Sequence, residues 1–297
     1  VMGYVFGDGS IYFAKKRGKG QTWFWGKPED LEAIRRDIAS IGYRCSRVYS
    51  RKRKQKIETS YSVYEFERIE TACRVSSSSL AILLVALGVP LGDKARQKYH
   101  IPEWLFKAPL WQKRLFLASL FGAEMNTPKT MTGHGHNFYC PEVSMNKKEE
   151  FVENGIVFLG ELSKLLNDFG LITLKISQRK ENLNTFRLRL ALSGRPENMV
   201  NLFARIGFEY NKKRSWLANA AVQYLKWKQS VIKDRKEMAT RVQEKALVEG
   251  VSARDIFRGL DSSPVNFRFV ERSIYEGRET EPRVPVNFPN FDEFLEK

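Results

Sequence analysis

Cysteine, histidine and long apolar runs are scarce in this chain. Three cysteines (Cys45, Cys73, Cys140) and three histidines occur in 297 residues. That is too few and too scattered for a disulfide framework, and it points to a reducing compartment. No stretch approaches the ~20 consecutive apolar residues of a bilayer span, and no secretory leader is recognisable. The expectation is an intracellular protein without membrane contact. Acid is also short: 34 Asp and Glu face 50 Lys and Arg, a net charge of +16. What is present is a 42% hydrophobic, 12% aromatic composition, which builds real cores and excludes a disordered basic arm. At ~100–200 residues per domain the length predicts about two domains. A folded chain this basic points to a polyanion, most simply nucleic acid.

The charge is concentrated. Residues 1–60 hold 14 Lys and Arg against 6 Asp and Glu, a surplus of 8 of the total 16. The densest part runs from Arg44 and Arg47 through Arg51, Lys52, Arg53, Lys54 and Lys56. Its flanks alternate like strands, so a basic β-ribbon able to reach phosphates and base edges in a major groove is expected.

The chain repeats itself. Val1–Gly9 ends in acid and glycine, and Leu117–Met125 ends in Glu124 and Met125. Each is followed by an amphipathic helix (Leu31 to Gly42; Leu162 to Gly170), basic strands, and a second helix ending in glycine six positions before a lysine. Those lysines are Lys94 and Lys213, 86 residues beyond Asp8 and 89 beyond Glu124. Two units of one element order are expected. Each opening stretch also carries small residues four apart, Gly3 with Gly7 and Ser119 with Ala123. On helices these share a face and permit close approach, which would bring Asp8 and Glu124 together at the C-terminal ends. Acids there oppose the macrodipole and repel one another. A hard divalent cation such as Mg²⁺ resolves both.

Val1–Gly9 and Leu117–Met125 resemble the two motifs of a single-chain LAGLIDADG homing endonuclease, as found in archaeal introns and inteins. The segment Gly88–Lys94 followed by Ile101-Pro102-Glu103-Trp104 is similar to the connection between halves in archaeal members. The resemblance covers roughly residues 1–215. It implies Asp8 and Glu124 as metal-binding acids, with the Gly7 and Ala123 carbonyls as further ligands for Mg²⁺ or Mn²⁺. It also implies Lys94 and Lys213 as basic residues that orient the nucleophilic water or offset charge on the scissile phosphate. The chain departs from the family pattern in Glu124, where Asp is commoner, and in Met125, where glycine is usual. The first motif begins at residue 1, no Cys or Ser nucleophile opens the chain, and Phe294–Lys297 lacks a His-Asn ending. A segment trimmed from a larger precursor is therefore expected, rather than an intact intein.

Period-two patterns predict the contact faces. Thr185, Arg187 and Arg189 alternate with Phe186, Leu188 and Leu190; Lys175, Ser177 and Arg179 alternate with Leu174 and Ile176. The apolar faces should pack under helices and leave the arginines on a concave saddle, with Arg68 equivalent to Arg187. Trp23, Phe24 and Trp25 read as core and sheet packing. His134, His136 and Cys140 form an H-x-H-x₃-C group in a loop segment, but no second cluster completes four zinc ligands.

Beyond Lys213 the pattern changes. Trp216–Gly250 is largely helical, Ser252–Leu260 reads as a capped helix, Asp261-Ser262-Ser263 as a turn, and Pro264–Arg272 as a second helix. This resembles a helix-turn-helix with Asn266, Arg268 and Arg272 as DNA-contact candidates. The tail from Glu279 should run extended. The expected architecture is α/β (α+β): halves at 1–95 and 115–215 with antiparallel saddle-shaped sheets and a central motif-helix pair, a linker at 96–114, and a helical extension at 216–297. The expected activity is metal-dependent cleavage of both strands of a long, near-asymmetric duplex DNA site by a monomer, in an archaeal cell. The alternatives are a non-cleaving regulator of LAGLIDADG plus helix-turn-helix type, which lacks acids at the motif ends, and a maturase acting on intron RNA.

Overall fold

The computed structural model describes residues 1–14, 18–58, 62–182, 184–260, 265–276 and 283–296. The chain divides into two compact units, one of Val1–Lys129 with Phe138–Asn219, the other of Thr130–Asn137 with Ala220–Lys297.

The first unit contains the repeat. One half runs α1 (Met2–Phe6), β1 (Gly9–Phe13), β2 (Gly20–Trp25), α2 (Pro28–Ser40), β3 (Tyr49–Glu58), β4 (Val63–Val75) and α3 (Ser78–Ala86). A short turn at Lys94–Arg96 and α4 (Glu103–Lys107) lead to α5 (Leu110–Glu124). The chain then passes through the hairpin β5 (Thr130–Met131) and β6 (His134–Phe138) and re-enters the repeat at β7 (Glu142–Lys148). There follow α6 (Val152–Asn167), β8 (Ser177–Asn182), β9 (Thr185–Ala191), α7 (Pro196–Asn201) and a wide π-type turn at Leu202–Ile206. Both sheets are antiparallel, ordered β1-β2-β4-β3 and β7-β9-β8. The counterpart of β1 in the second half is a single bridge, Met125 to Val143. Met125 is fully buried with extended backbone, φ −80°. A position that is glycine in the first motif therefore serves here as an apolar plug.

The elements follow from local sequence. Pro28 presets the first turn of α2, Glu29 and Asp30 complement its dipole, and Leu31, Ile34 and Ile38 bury one stripe. In α6 the buried stripe is Phe158, Leu159, Leu162, Leu165 and Leu166. That helix begins at Val152, ten residues before the expected start, because Asn154 and Gly155 are buried within it. Gly42 and Gly170 close the two helices at φ +84° and +70°, which glycine adopts without strain.

α1 and α5 cross on the expected small residues. A Cβ on Gly3 would lie 2.2 Å from the Phe116 carbonyl oxygen, and one on Gly7 would lie 2.5 Å from the Ala123 Cβ. Around this crossing Phe6 meets Phe116 edge-on at 5.4 Å and stacks on Phe158 at 6.1 Å.

The second unit holds α8 (Lys212–Val248) from Ala220 onward, with α9 (Ala253–Arg258), α10 (Phe267–Tyr275) and α11 (Phe291–Leu295). Val242, Ala253, Ile256 and Val270 form its small core. Ser252 caps α9 as expected. The expected turn at 261–263 and the Pro264 start of the second helix lie outside the described residues, and the described helix runs Phe267–Tyr275. The tail does not simply run extended: Asn290 and Glu293 form a capping box on α11, and Phe288 and Phe291 are buried against Tyr224. Three aromatics at 288, 291 and 294 supply the apolar face that makes this helix stable. Among the described residues no helix is long and apolar enough to cross a membrane.

Candidate functional site

A cavity of about 1520 Å³ opens in the first unit, and the ends of α1 and α5 form part of its lining. Asp8 follows the Gly7 cap of α1, and Glu124 is the last residue of α5. Both line the cavity, together with Lys94 and Arg214. Asp8 is open to the cavity yet crowded by protein on its other sides, and that crowding raises its pKa against the opposing pull of Lys94, Arg214 and Arg68. Burial first, and then the Asp8 charge, push Glu124 up to about 7. Two carboxylates held in this way repel one another.

The two helix ends are capped in the same way by cations from distant sequence. The Lys94 ammonium donates to the carbonyls of Val5 (3.1 Å), Phe6 (2.9 Å) and Gly7. The Arg214 guanidinium donates to the carbonyls of Phe121, Gly122 and Ala123. These are carbonyls at the end of each helix, where intrahelical partners run out; of the six, Phe121 also accepts from the Met125 amide. A cation at each end offsets the negative pole of the macrodipole and so permits an acid there. Burial lowers the pKa of both cations, and the two acids oppose that lowering.

This corrects the expectation for the second half. Lys213 is exposed on α8 and does not line the cavity; Arg214, one residue further on, holds the place equivalent to Lys94. The spacing rule missed by one because the halves differ in their connection. The second passes through the π-type turn and Tyr210, at φ +56°, before α8 begins. The Gly7 and Ala123 carbonyls, expected as metal ligands, each accept a hydrogen bond from their capping cation.

The sheet arginines divide by register. Arg53 pairs with Arg68 across β3 and β4, and Arg179 pairs with Arg187 across β8 and β9, at equivalent places in the two halves. Like charges directly opposed are destabilising in a sheet unless an anion joins them. Arg53, Arg68 and Arg187 line the cavity. Glu70 holds Arg51 and Arg53, Glu181 holds Arg187, and Glu142 lies 3.8 Å from Arg189.

Other expected contacts fall elsewhere. Lys54 and Lys56 pair with Glu67 and Glu65 in the register and alternate with Arg51 and Arg53, so a period of two places them on the reverse face of the ribbon. Arg44 and Arg47 precede β3, and Arg44 lines a small hollow with Arg35 and Ala39 beside the end of α2. Lys175 precedes β8, and Leu174 is 47% exposed instead of packed beneath a helix, because it lies ahead of the strand that the alternation assumed. Asn266 accepts from the Phe269 amide as the N-cap of α10, and Arg272 lies 3.5 Å from Glu276, so both have structural partners. Arg268 is exposed on α10.

In β2, Phe24 is buried, whereas Trp23 and Trp25 stack at 6.0 Å on the other face, with Tyr12 against Trp23 and the Arg74 guanidinium over it. The expected packing role thus holds for Phe24; the two tryptophans share the face that Trp25 brings to the cavity. His136 hydrogen-bonds to Tyr224 and His134 is exposed. No group of three or more His, Cys, Asp or Glu gathers among the described residues.

No protein-family model matches the chain. In sequence it is 35% identical, over its whole length, to 29% of the tRNA-splicing ligase RtcB of Methanopyrus kandleri. It is 32% identical over 79% of its length to 17% of the DNA-directed RNA polymerase subunit Rpo1N of Methanocaldococcus jannaschii. It is also 25% identical over its whole length to 15% of the replication factor C small subunit of the same organism. The chain thus spans under a third of each curated relative. Solved structures are similar to it as well, among them two bound to DNA. The homing endonuclease I-WcaI bound to its DNA recognition sequence has a TM-score of 0.42 and 13% identity over 73% of this chain and 83% of that one. The LAGLIDADG meganuclease I-AabMI bound to uncleaved DNA has a TM-score of 0.39 and 9% identity over 88% and 97%. Paired motif helices with acids at their ends and two antiparallel sheets are the architecture expected from the sequence.

Proposed function

We propose that this chain is a site-specific, metal-dependent DNA endonuclease that breaks both strands of a long duplex target. The observation that carries the reading is the pairing of Asp8 and Glu124 in one cavity, each at the end of a helix capped by a half-buried cation. A non-cleaving regulator has no need of two acids set against their own helix dipoles.

The donor set fits a divalent cation. Both acids are hard oxygen donors, and Glu124 is pushed up in part by Asp8, the repulsion that a cation relieves. Asp8 and Glu124 would hold Mg²⁺ or Mn²⁺, which when bound activates water and stabilises charge on the phosphate. Lys94 and Arg214 do different work: they hold the helix ends and keep the acids charged. The Arg53–Arg68 and Arg179–Arg187 pairs supply phosphate contacts from each half, and the stacked Trp23 and Trp25 widen the contact face of the first. Arg268, on α10, supplies a further contact from the second unit.

The sequence relatives suggest where the target lies. One segment recurs within an RNA ligase, an RNA polymerase subunit and a replication factor, and fills under a third of each. A segment shared by proteins of such unlike activity is a mobile insert, and its target is the uninterrupted form of the gene it occupies.

The test is a supercoiled plasmid carrying the uninterrupted coding sequence of an archaeal tRNA-splicing ligase, incubated with Mg²⁺. The wild type should linearise it, and Asp8→Asn and Glu124→Gln should bind it without cutting. Tight binding without any break by the wild type would favour the regulator; preference for intron RNA over duplex would favour the maturase.

A further inference from the structure

The segments that carry the two capping cations are each held by the opposite half. In α2 of the first half, the third residue, Asp30, is buried and accepts from the Lys212 amide at 2.8 Å, two residues before Arg214. Seven positions on, and so on the same face, Asp37 accepts from the Tyr210 hydroxyl at 2.6 Å. In α6 of the second half the third residue is Asn154, also buried. It accepts from the Tyr99 amide at 3.0 Å and donates to the Tyr99 carbonyl at 3.1 Å. Seven positions on, Glu161 accepts from the Ile101 amide at 2.8 Å. The Lys147 ammonium, fully buried at the end of β7, completes this side. It donates to the carbonyls of Lys94 (3.0 Å) and Gln97 (2.8 Å) and lies 3.9 Å over the Tyr99 ring.

We infer that these are reciprocal clasps: Asp30 and Asp37 position Arg214, while Asn154, Glu161 and Lys147 position Lys94. Each half's helix fixes the cation that caps the other half's motif helix. The geometry has a physical consequence. A buried lysine is costly unless its donors are satisfied, and here they are spent on the backbone of the segment that begins with Lys94, with the Asp93 charge acting on it as well. Tyr210 is held at φ +56°, a conformation costly for a bulky residue, and its hydroxyl is tied to Asp37. Opening one clasp should free one cation and leave the other in place. Given the endonuclease reading, on which this part rests, either opening should slow the cutting of both strands, because each cation faces both acids.

The test has two readouts on the full chain. The first needs no DNA: trace labelling of lysines with acetic anhydride and of arginines with phenylglyoxal, followed by peptide mass spectrometry. Asp30→Ala should raise Arg214 labelling about tenfold and leave Lys94 at its wild-type level. Asp30→Asn, whose amide oxygen still accepts from Lys212, should restore protection. Lys147→Met should do the converse, exposing Lys94 and leaving Arg214; if that variant does not fold, Glu161→Ala, at a partly exposed side chain, takes its place. The second readout is strand-resolved nicking of the same plasmid, in which the Asp30 and Lys147 variants should each slow both strands. Labelling that rises at both cations together, or at neither, overturns the clasp. Absence of cutting by the wild type overturns the endonuclease reading alone, and the labelling pattern then decides the clasp.

Discussion

The two halves of the first unit solve one problem with different residues. The first places aspartate just past the Gly7 cap of its motif helix, holds that end with lysine, and closes the helix crossing with two glycines. The second ends in glutamate, caps with arginine, and offers Ser119 and Ala123 at the crossing. The longer Glu124 and the wider guanidinium come as a pair, reaching the same cavity from a helix that starts fourteen residues before its end. The half with the longer acid has only a single bridge where its counterpart has β1, and Met125 seals that edge. What repeats is a charge pattern, acid at the end and cation on the carbonyls, and not a residue pattern.

The largest effect that separates this account from a structural one is on cutting. Asp8→Asn and Glu124→Gln should each slow strand breakage ~1000-fold or more, since the metal contributes several kcal/mol of charge stabilisation, while gel-shift affinity stays near wild type. A surviving rate in either variant would mean that one half works alone.

Next come the capping cations and the crossing. Arg214→Met should cut the rate about 100-fold, the loss of hydrogen bonds from a charged group, while Lys213→Ala should stay within about twofold. The opposite order would restore the equivalence drawn from spacing. At the crossing, Gly3→Ala should destabilise by about 3 kcal/mol in denaturant unfolding, because its Cβ meets backbone. Ser119→Ala removes a hydroxyl bonded within its own helix and should cost less than about 1 kcal/mol.

A smaller effect is electrostatic. Glu124 has a folded pKa of about 7, above its ordinary value of 4.5. At pH 4 it is protonated whether folded or not, and contributes nothing. As pH rises from 4.5 to 7 the unfolded chain loses the proton first, so the metal-free protein loses stability across that window, by at most about 3 kcal/mol. Glu124→Gln should flatten that slope in thermal melts of the metal-free chain. Added Mg²⁺ should raise the wild-type melting temperature more at pH 8 than at pH 5. The smallest expected effect lies in the second unit, where Asn266→Ala should cost about 1 kcal/mol as a lost helix cap.

Much of this was legible in the sequence. Small residues four apart, followed by acid, can be read directly, because helix geometry is local and both copies carry the signal. Lys94 follows from a short, glycine-rich connection whose length is fixed. Arg214 does not, since a π-type turn and a left-handed tyrosine shift the count by one, and neither has a sequence signature strong enough to find. The split of Arg51 and Arg53 from Lys54 and Lys56 was available from strand alternation alone, but a dense basic run reads as one patch. Asp30 and Asn154 were hidden for another reason. An acid or amide in a first helical turn reads as an ordinary cap, and only the tertiary fold shows that its partner lies in the other half.

The most direct measurement is cleavage mapping on a duplex labelled on each strand and carrying the uninterrupted target, with wild type and the two acid variants in Mg²⁺. One break per strand is expected, with both breaks lost in either Asp8→Asn or Glu124→Gln because the acids form one centre. Specific binding without breaks by the wild type, or two breaks that survive the loss of either acid, would contradict it.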